Sequence, residues 1–109
     1  MTGEPMELLQ GTLDVLVLRA LETDTPRHGY AVSRWVHERT RGTLQIEDAP
    51  LYKALYRLER DGCVTATWGV SEQKRRARYY RLTPKGRRRL EAEKAAWRRY
   101  ASAVFSVLE

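Results

Sequence analysis

The stretch DAPLYKALYRLER, residues 48–60, decides how this chain is read. Asp48 is a good helix-capping residue, and Pro50 falls in the first turn, where its missing N–H costs nothing. Leu51, Leu55 and Leu58 recur at i, i+4 and i+7 and define a core face. At about 100° per residue, Lys53, Tyr56, Arg57 and Arg60 fall on the opposite face. Asp61-Gly62 ends the element. The pattern predicts a helix of about 11–13 residues, long enough to lie in a major groove, with donors for phosphates and base edges on its outer side.

Working outward, residues 63–70 (CVTATWGV) alternate with period two and put Val64, Ala66 and Trp68 on one side. Residues 71–76 (SEQKRR) are a polar connection, and residues 77–82 (ARYYRL) read as a second strand with Tyr80 and Leu82 on one face. Thr83-Pro84 starts a helix that nothing breaks between Gly86 and Glu109. Upstream, residues 8–22 read as a strongly apolar helix through Leu9, Leu13, Leu16, Val17, Ala20 and Leu21. Thr23-Asp24-Thr25-Pro26 interrupts it. A second helix is expected from about His28 to Arg41, with Val32, Trp35 and Val36 on one face and Gly42 closing it. Residues 43–46 alternate and suggest a short strand. Trp35, Trp68 and Cys63 are all expected in the core. The fold class is mainly α with a small β-hairpin: a winged helix-turn-helix over residues 1–83, followed by a long C-terminal dimerisation helix over residues 84–109.

Charge sharpens this reading. The chain of 109 residues has a net charge of +6. Residues 1–50 hold five basic and eight acidic side chains, whereas residues 51–109 hold fifteen basic and six acidic. Lys74, Arg75, Arg76, Arg78, Arg81, Lys85, Arg87, Arg88 and Arg89 crowd residues 74–89 without one acid. Such a run repels itself unless a polyanion lies near. The basic hairpin tip, Lys74-Arg75-Arg76, suits the minor groove or its flanking phosphates. Tyr52 sits at the edge between the core and exposed faces of its helix, and the pattern favours partial packing.

The last helix changes character along its length. Residues 84–94 are mostly charged and residues 95–108 mostly apolar. Leu90, Trp97 and Val104 recur every seven residues, and Ala101, Phe105 and Leu108 widen the stripe. A terminal helix leaves little chain to cover such a face, which predicts a homodimer joined through Trp97, Ala101, Val104, Phe105 and Leu108. The alternative is that the helix folds back on the first helix of its own chain. Two Trp97 indoles near a dimer axis would either clamp a planar aromatic effector or pack together, and Asp14 is a polar partner for such an effector if it faces the gap.

The strings Leu51-Tyr52, Arg57-Leu58-Glu59, Asp61-Gly62, Trp68, Tyr79-Tyr80-Arg81-Leu82-Thr83 and Gly86, with Gly29-Tyr30 earlier, resemble the PadR family of bacterial transcriptional regulators. Over nearly the whole chain the resemblance is to its short subfamily, which has a single C-terminal dimerisation helix, and to multidrug-binding members with a tryptophan in that helix, here Trp97. It implies a homodimeric winged-helix repressor on double-stranded DNA with an inverted-repeat operator, released when an effector binds, with Tyr52 near the DNA. Ala49-Pro50 stands where many relatives have Gly-Ser, Lys53 stands where many have proline, and the wing tip lacks their glycine.

Other classes find little support. No Gly-x-Ser-x-Gly, phosphate loop or His-Glu-x-x-His occurs, so no enzyme and no cofactor is expected. His28 and His37 are spaced wrongly for a helical metal pair, and no metal is expected. The start, residues 1–5, lacks a signal-peptide pattern, and no stretch is apolar enough for a membrane span, so a soluble, cytoplasmic protein is expected. An RNA-binding basic winged-helix protein is the alternative, but it gives no reason for the apolar last helix. A winged helix used only for protein association gives none for the clustered positive charge.

Overall fold

A computed structural model describes Met6, Leu8, Leu9 and residues 11–109; residues 1–5, on which the signal-peptide reading turned, lie outside the described residues. The elements are α1 (Leu13–Ala20), β1 (Arg27–His28), α2 (Gly29–Arg39), α3 (Asp48–Arg60), β2 (Val64–Val70), β3 (Arg76–Leu82) and α4 (Pro84–Leu108). Three helices enclose one core, the β2–β3 hairpin forms the wing, and α4 runs away from the body as the long C-terminal helix. Val17, Leu18 and Leu21 of the α1 segment meet Val32 and Val36 of α2 and Leu51, Leu55 and Leu58 of α3. All are essentially inaccessible to solvent. Tyr80, Leu82 and Leu90 close the core from the wing and α4.

The structure departs from the expected elements in four places. The first helix begins at Leu13 rather than near residue 8, after Gly11 at φ +87° and a turn in which the Thr12 amide and hydroxyl both donate to the Leu9 carbonyl. Residues 43–46 form no strand; Leu44 makes one isolated parallel bridge, to Met6. Asp48 is not the cap of α3 but lies in its first turn, with Glu47 at the cap position making no side-chain capping bond. A carboxylate there still favours the positive end of the helix dipole. Finally, the sheet has three strands in the order β1-β3-β2, because Arg27 and His28 pair with Tyr80 and Tyr79.

Trp68 is the main correction to the core. It shares a strand face with buried Val64, yet it is 59% exposed. Along β2 burial falls off from Val64 towards the outer end of the hairpin. The Arg76 guanidinium covers the indole instead, 4.4 Å from the ring centroid. Trp35 is half-buried against the core, with Arg19, Arg27 and Arg39 around its ring. Cys63 is buried as expected.

The wing, α4 and the end of α3 meet at one corner, around Thr83. The Thr83 hydroxyl caps α4 by accepting from the Gly86 amide at 3.0 Å and also donates to the Gly62 carbonyl at 2.7 Å. The Thr83 amide donates to the Cys63 carbonyl at 3.0 Å. Gly86 is required here: a β-carbon on it would lie 2.0 Å from that same carbonyl oxygen. The obstacle is backbone and cannot rotate away. Gly86→Ala is therefore expected to destabilise the protein by roughly 1–3 kcal/mol, as overpacking does. Urea unfolding should show a lower midpoint at an unchanged slope.

Candidate nucleic-acid interface

The outer face of α3 presents Lys53, Tyr56 and Arg60 to solvent, with Tyr56 67% exposed. Leucines on the inner face fix the rotation of the helix, so these three side chains must point away from the body. Arg60 makes one pair, 3.4 Å from the carboxylate of Asp61, and both side chains stay open to solvent. Tyr52 does two things: it is half exposed, and its ring lies over the start of α2. A β-carbon on Gly29 would fall 2.7 Å from that ring, so the glycine lets the two helix N-termini approach.

Two arginines expected to reach outward are engaged within the chain. Arg78 grips Glu59 of α3 through two parallel bonds, 3.2 Å and 2.8 Å, while its Nε is buried without a partner. The hydrogen bond to Glu59 raises the Arg78 pKa; burial opposes it and the Glu59 charge adds to it. Arg78 thus works as a strut from wing to recognition helix, with Trp68 and Tyr80 rings beside it. Arg57 stands on the flank of α3 and donates to Asp14 of α1 at 2.5 Å. The other Asp14 oxygen accepts from Arg89 of α4 at 3.0 Å. Arg89 also reaches Glu93 at 2.6 Å, Asp61 at 3.8 Å and the Cys63 sulfur at 3.9 Å. Burial works against the Arg89 charge, but the bonds to Glu93 and Cys63 and the charges of Glu93 and Asp14 outweigh it and raise its pKa.

The wing tip carries the free charge. Lys74, Arg75 and Arg76 are exposed around a turn closed by the Ser71 amide on the Arg75 carbonyl and the Lys74 amide on the Ser71 carbonyl, both 2.8 Å. Lys74 adopts φ +60°, the left-handed conformation that a glycine would take without strain. Between the wing, α3 and the start of α2 lies an open cleft of about 520 Å³, lined by Tyr30, Tyr52, Trp68, Arg75, Arg76 and Arg78 among others. Trp68 and Tyr30 are the contributors that the residue pattern did not single out for this face. The signal for Trp68 lay in the register: it pairs directly with Arg78 near the polar end of the hairpin, where an apolar partner would be needed for a core position.

The sequence model of the transcriptional regulator PadR-like family matches residues 17–92. This chain belongs to the PadR-like family. An uncharacterized protein of Lysinibacillus sphaericus is 34% identical over 92 residues, covering 84% of this chain and 83% of that protein. A transcriptional regulator from Clostridium thermocellum superposes with a TM-score of 0.82 at 27% identity, over 92% of this chain and 96% of the other. A PadR family transcriptional regulator from Eggerthella lenta reaches 0.76 at 33% identity, over 92% and 84%. The family binds DNA to regulate transcription, and its members are regulators rather than enzymes, generally dimeric.

This PadR-like chain also carries an apolar groove of about 470 Å³ between α1 and α4, lined chiefly by Leu8, Leu9, Val15, Leu16, Leu44 and Trp97. The Trp97 ring meets Tyr100 edge-on at 5.8 Å. Asp14 does not line the groove. It lies about 200° around α1 from Thr12, on the core side, and both its oxygens are held by arginines. The sequence-based pairing of Asp14 with an effector beside Trp97 is corrected accordingly. Beyond Trp97, Val104, Phe105 and Leu108 are 36%, 57% and 72% exposed, while Ala101 is half-buried. Among the described residues, no group of His, Cys, Asp and Glu is placed to hold a metal ion, and no helix is long and apolar enough to cross a membrane.

Proposed function

We propose that this chain is a homodimeric repressor whose α3 helices read an inverted-repeat operator, and which releases DNA when a planar aromatic effector binds by α4. The observation that carries the DNA half is the pairing of two basic surfaces across one cleft. Lys53, Tyr56 and Arg60 face out from α3, and Lys74, Arg75 and Arg76 stand at the wing tip, with Arg78 and Glu59 fixing the distance between them. A helix for the major groove beside a basic tip for the minor groove divides the work into base reading and phosphate contact. Residues 1–83 form the DNA-binding unit and residues 84–109 the dimerisation helix, although Gly86 and Leu90 are packed into the former. RNA binding would leave the apolar end of α4 without a role.

Lys53→Ala is expected to weaken operator binding by about 1–3 kcal/mol while changing non-specific binding little. Replacing Lys74, Arg75 and Arg76 together with Ala should weaken binding to every duplex and flatten the salt dependence by about 0.9 for every phosphate no longer neutralised. Binding titrations across a salt series check both. An unchanged slope in the triple variant would remove the wing from the interface.

The dimer reading rests on the exposed end of α4 and on the groove beside it. Val104, Phe105 and Leu108 are too large a solvent-exposed stripe for an isolated chain, and a second copy supplies both an apolar face and a groove of matching character. Val104→Glu with Leu108→Glu should give monomers, or aggregates if folding needs the partner, in sedimentation velocity. The two recognition helices of the dimer should then meet half-sites about 34 Å apart.

The effector reading rests on Trp97, whose indole joins an apolar groove rather than the sealed core. Planar aromatic dyes should quench Trp97 fluorescence and lower operator affinity together, and Trp97→Ala should lose both responses while Trp35 and Trp68 remain. Quenching without a change in operator affinity would make the groove a binding site but not a control site.

A further inference from the structure

We infer that Asp14 acts as an intramolecular competitor for DNA: it holds Arg57 on the flank of α3, and Arg89 lets it release that arginine to a phosphate. The inference rests on the DNA-contacting reading of the α3 face and adds to it the residue that sets how much of that face is available.

The geometry has three parts. Arg57 is placed for a contact that it does not make while paired. It is one turn from Lys53 on the same helix, its side chain is 43% exposed, and its head is drawn aside to Asp14. Among the described residues, Lys53 and Arg60 have no such tie to another helix; Arg60 pairs with its neighbour Asp61, in the open. Asp14 is only 18% exposed, so it could not be left without a cation. Arg89 answers that need. It holds the second oxygen of Asp14 from α4 at 3.0 Å and is itself anchored by Glu93. When Arg57 swings out to a phosphate, Asp14 keeps one guanidinium and its charge stays paired. Arg89 stays fixed between Asp14 and Glu93 whether or not Arg57 leaves.

The arrangement predicts opposite responses from Asp14 and from its partner Arg89. Asp14→Asn weakens the hold on Arg57 and should tighten binding to a short mixed-sequence duplex by roughly three- to tenfold, with a salt slope steeper by about 0.9, one phosphate contact. Arg89→Gln leaves Asp14 dependent on Arg57 alone and should weaken binding and flatten the slope. A folding defect would weaken both, so opposite signs cannot arise from misfolding. In an Arg57→Ala background, Asp14→Asn should leave the slope unchanged, which separates the competitor from a general gain of positive charge. The inference is overturned if Asp14→Asn weakens binding, if it leaves binding unaltered, or if its gain persists without Arg57. Wild-type protein that binds no duplex in a salt-dependent manner would overturn the DNA-contacting face itself and this inference with it.

Discussion

Three helices of this protein converge on one carboxylate. Asp14 of α1 bonds Arg57 of α3 and Arg89 of α4 with its two oxygens. The hydrophobic core brings these helices together and, through Leu18, Leu55 and Leu90, sets which face of each turns inward. Charge-assisted bonds add direction to that packing. The ionic cluster ties the flank of the recognition helix to the helix that carries the apolar stripe. The Arg78–Glu59 fork does the same on the opposite flank, between α3 and the wing.

The arginine excess accordingly has two populations. Arg57, Arg78 and Arg89 are half-buried and spend their donors on carboxylates of other elements. Lys53, Arg60 and the residues of the wing tip remain in water. The structural arginines use the planar fork, which lysine lacks. Net charge alone cannot divide them, since both kinds lie in the same basic half of the chain. What divides them is the position of the acids. Glu59 and Asp61 sit at the end of α3, and Asp14 comes from a helix that is otherwise almost wholly apolar. An isolated acid in such a helix has to find a partner on folding.

Much of the fold was legible because its signals are local. The i, i+4, i+7 leucines of α3, the Thr83-Pro84 helix start and the period-two runs of the hairpin each depend on residues within a few positions of one another. The glycines at the ends of α2 and α3 also behave as local signals: Gly42 and Gly62 take φ +82° and +78°. Other features were not local. β1 is two residues long and exists only because Tyr79 and Tyr80 pair with it. Trp68 satisfies a strand pattern along which burial falls off before Trp68 is reached. The Asp14–Arg57 pair spans 43 positions and the Asp14–Arg89 pair 75, beyond the reach of any periodicity. For the candidate interface, the outer face of α3 and the basic tip were readable, whereas the engagement of Arg57 and Arg78 was not.

The position of α1 links the ionic cluster to the groove in which we propose an effector binds. One side of this short helix lines the apolar groove through Val15 and Leu16, next to Trp97, and the other side carries Asp14 to the recognition helix. A ligand can alter DNA affinity only by preferring one arrangement of the helices over another. Anything that moves α4 against α1 in the groove must also move Arg89 against Asp14, because both contacts lie on the same two helices. The groove and the ionic cluster are thus opposite faces of a single packed joint. Its stiffness comes from Leu90, Gly86 and the Thr83 cap, which hold the start of α4 to the body. The remainder of α4 extends beyond Trp97 with Val104, Phe105 and Leu108 exposed, so under the proposed dimer its partner would bear on this same joint.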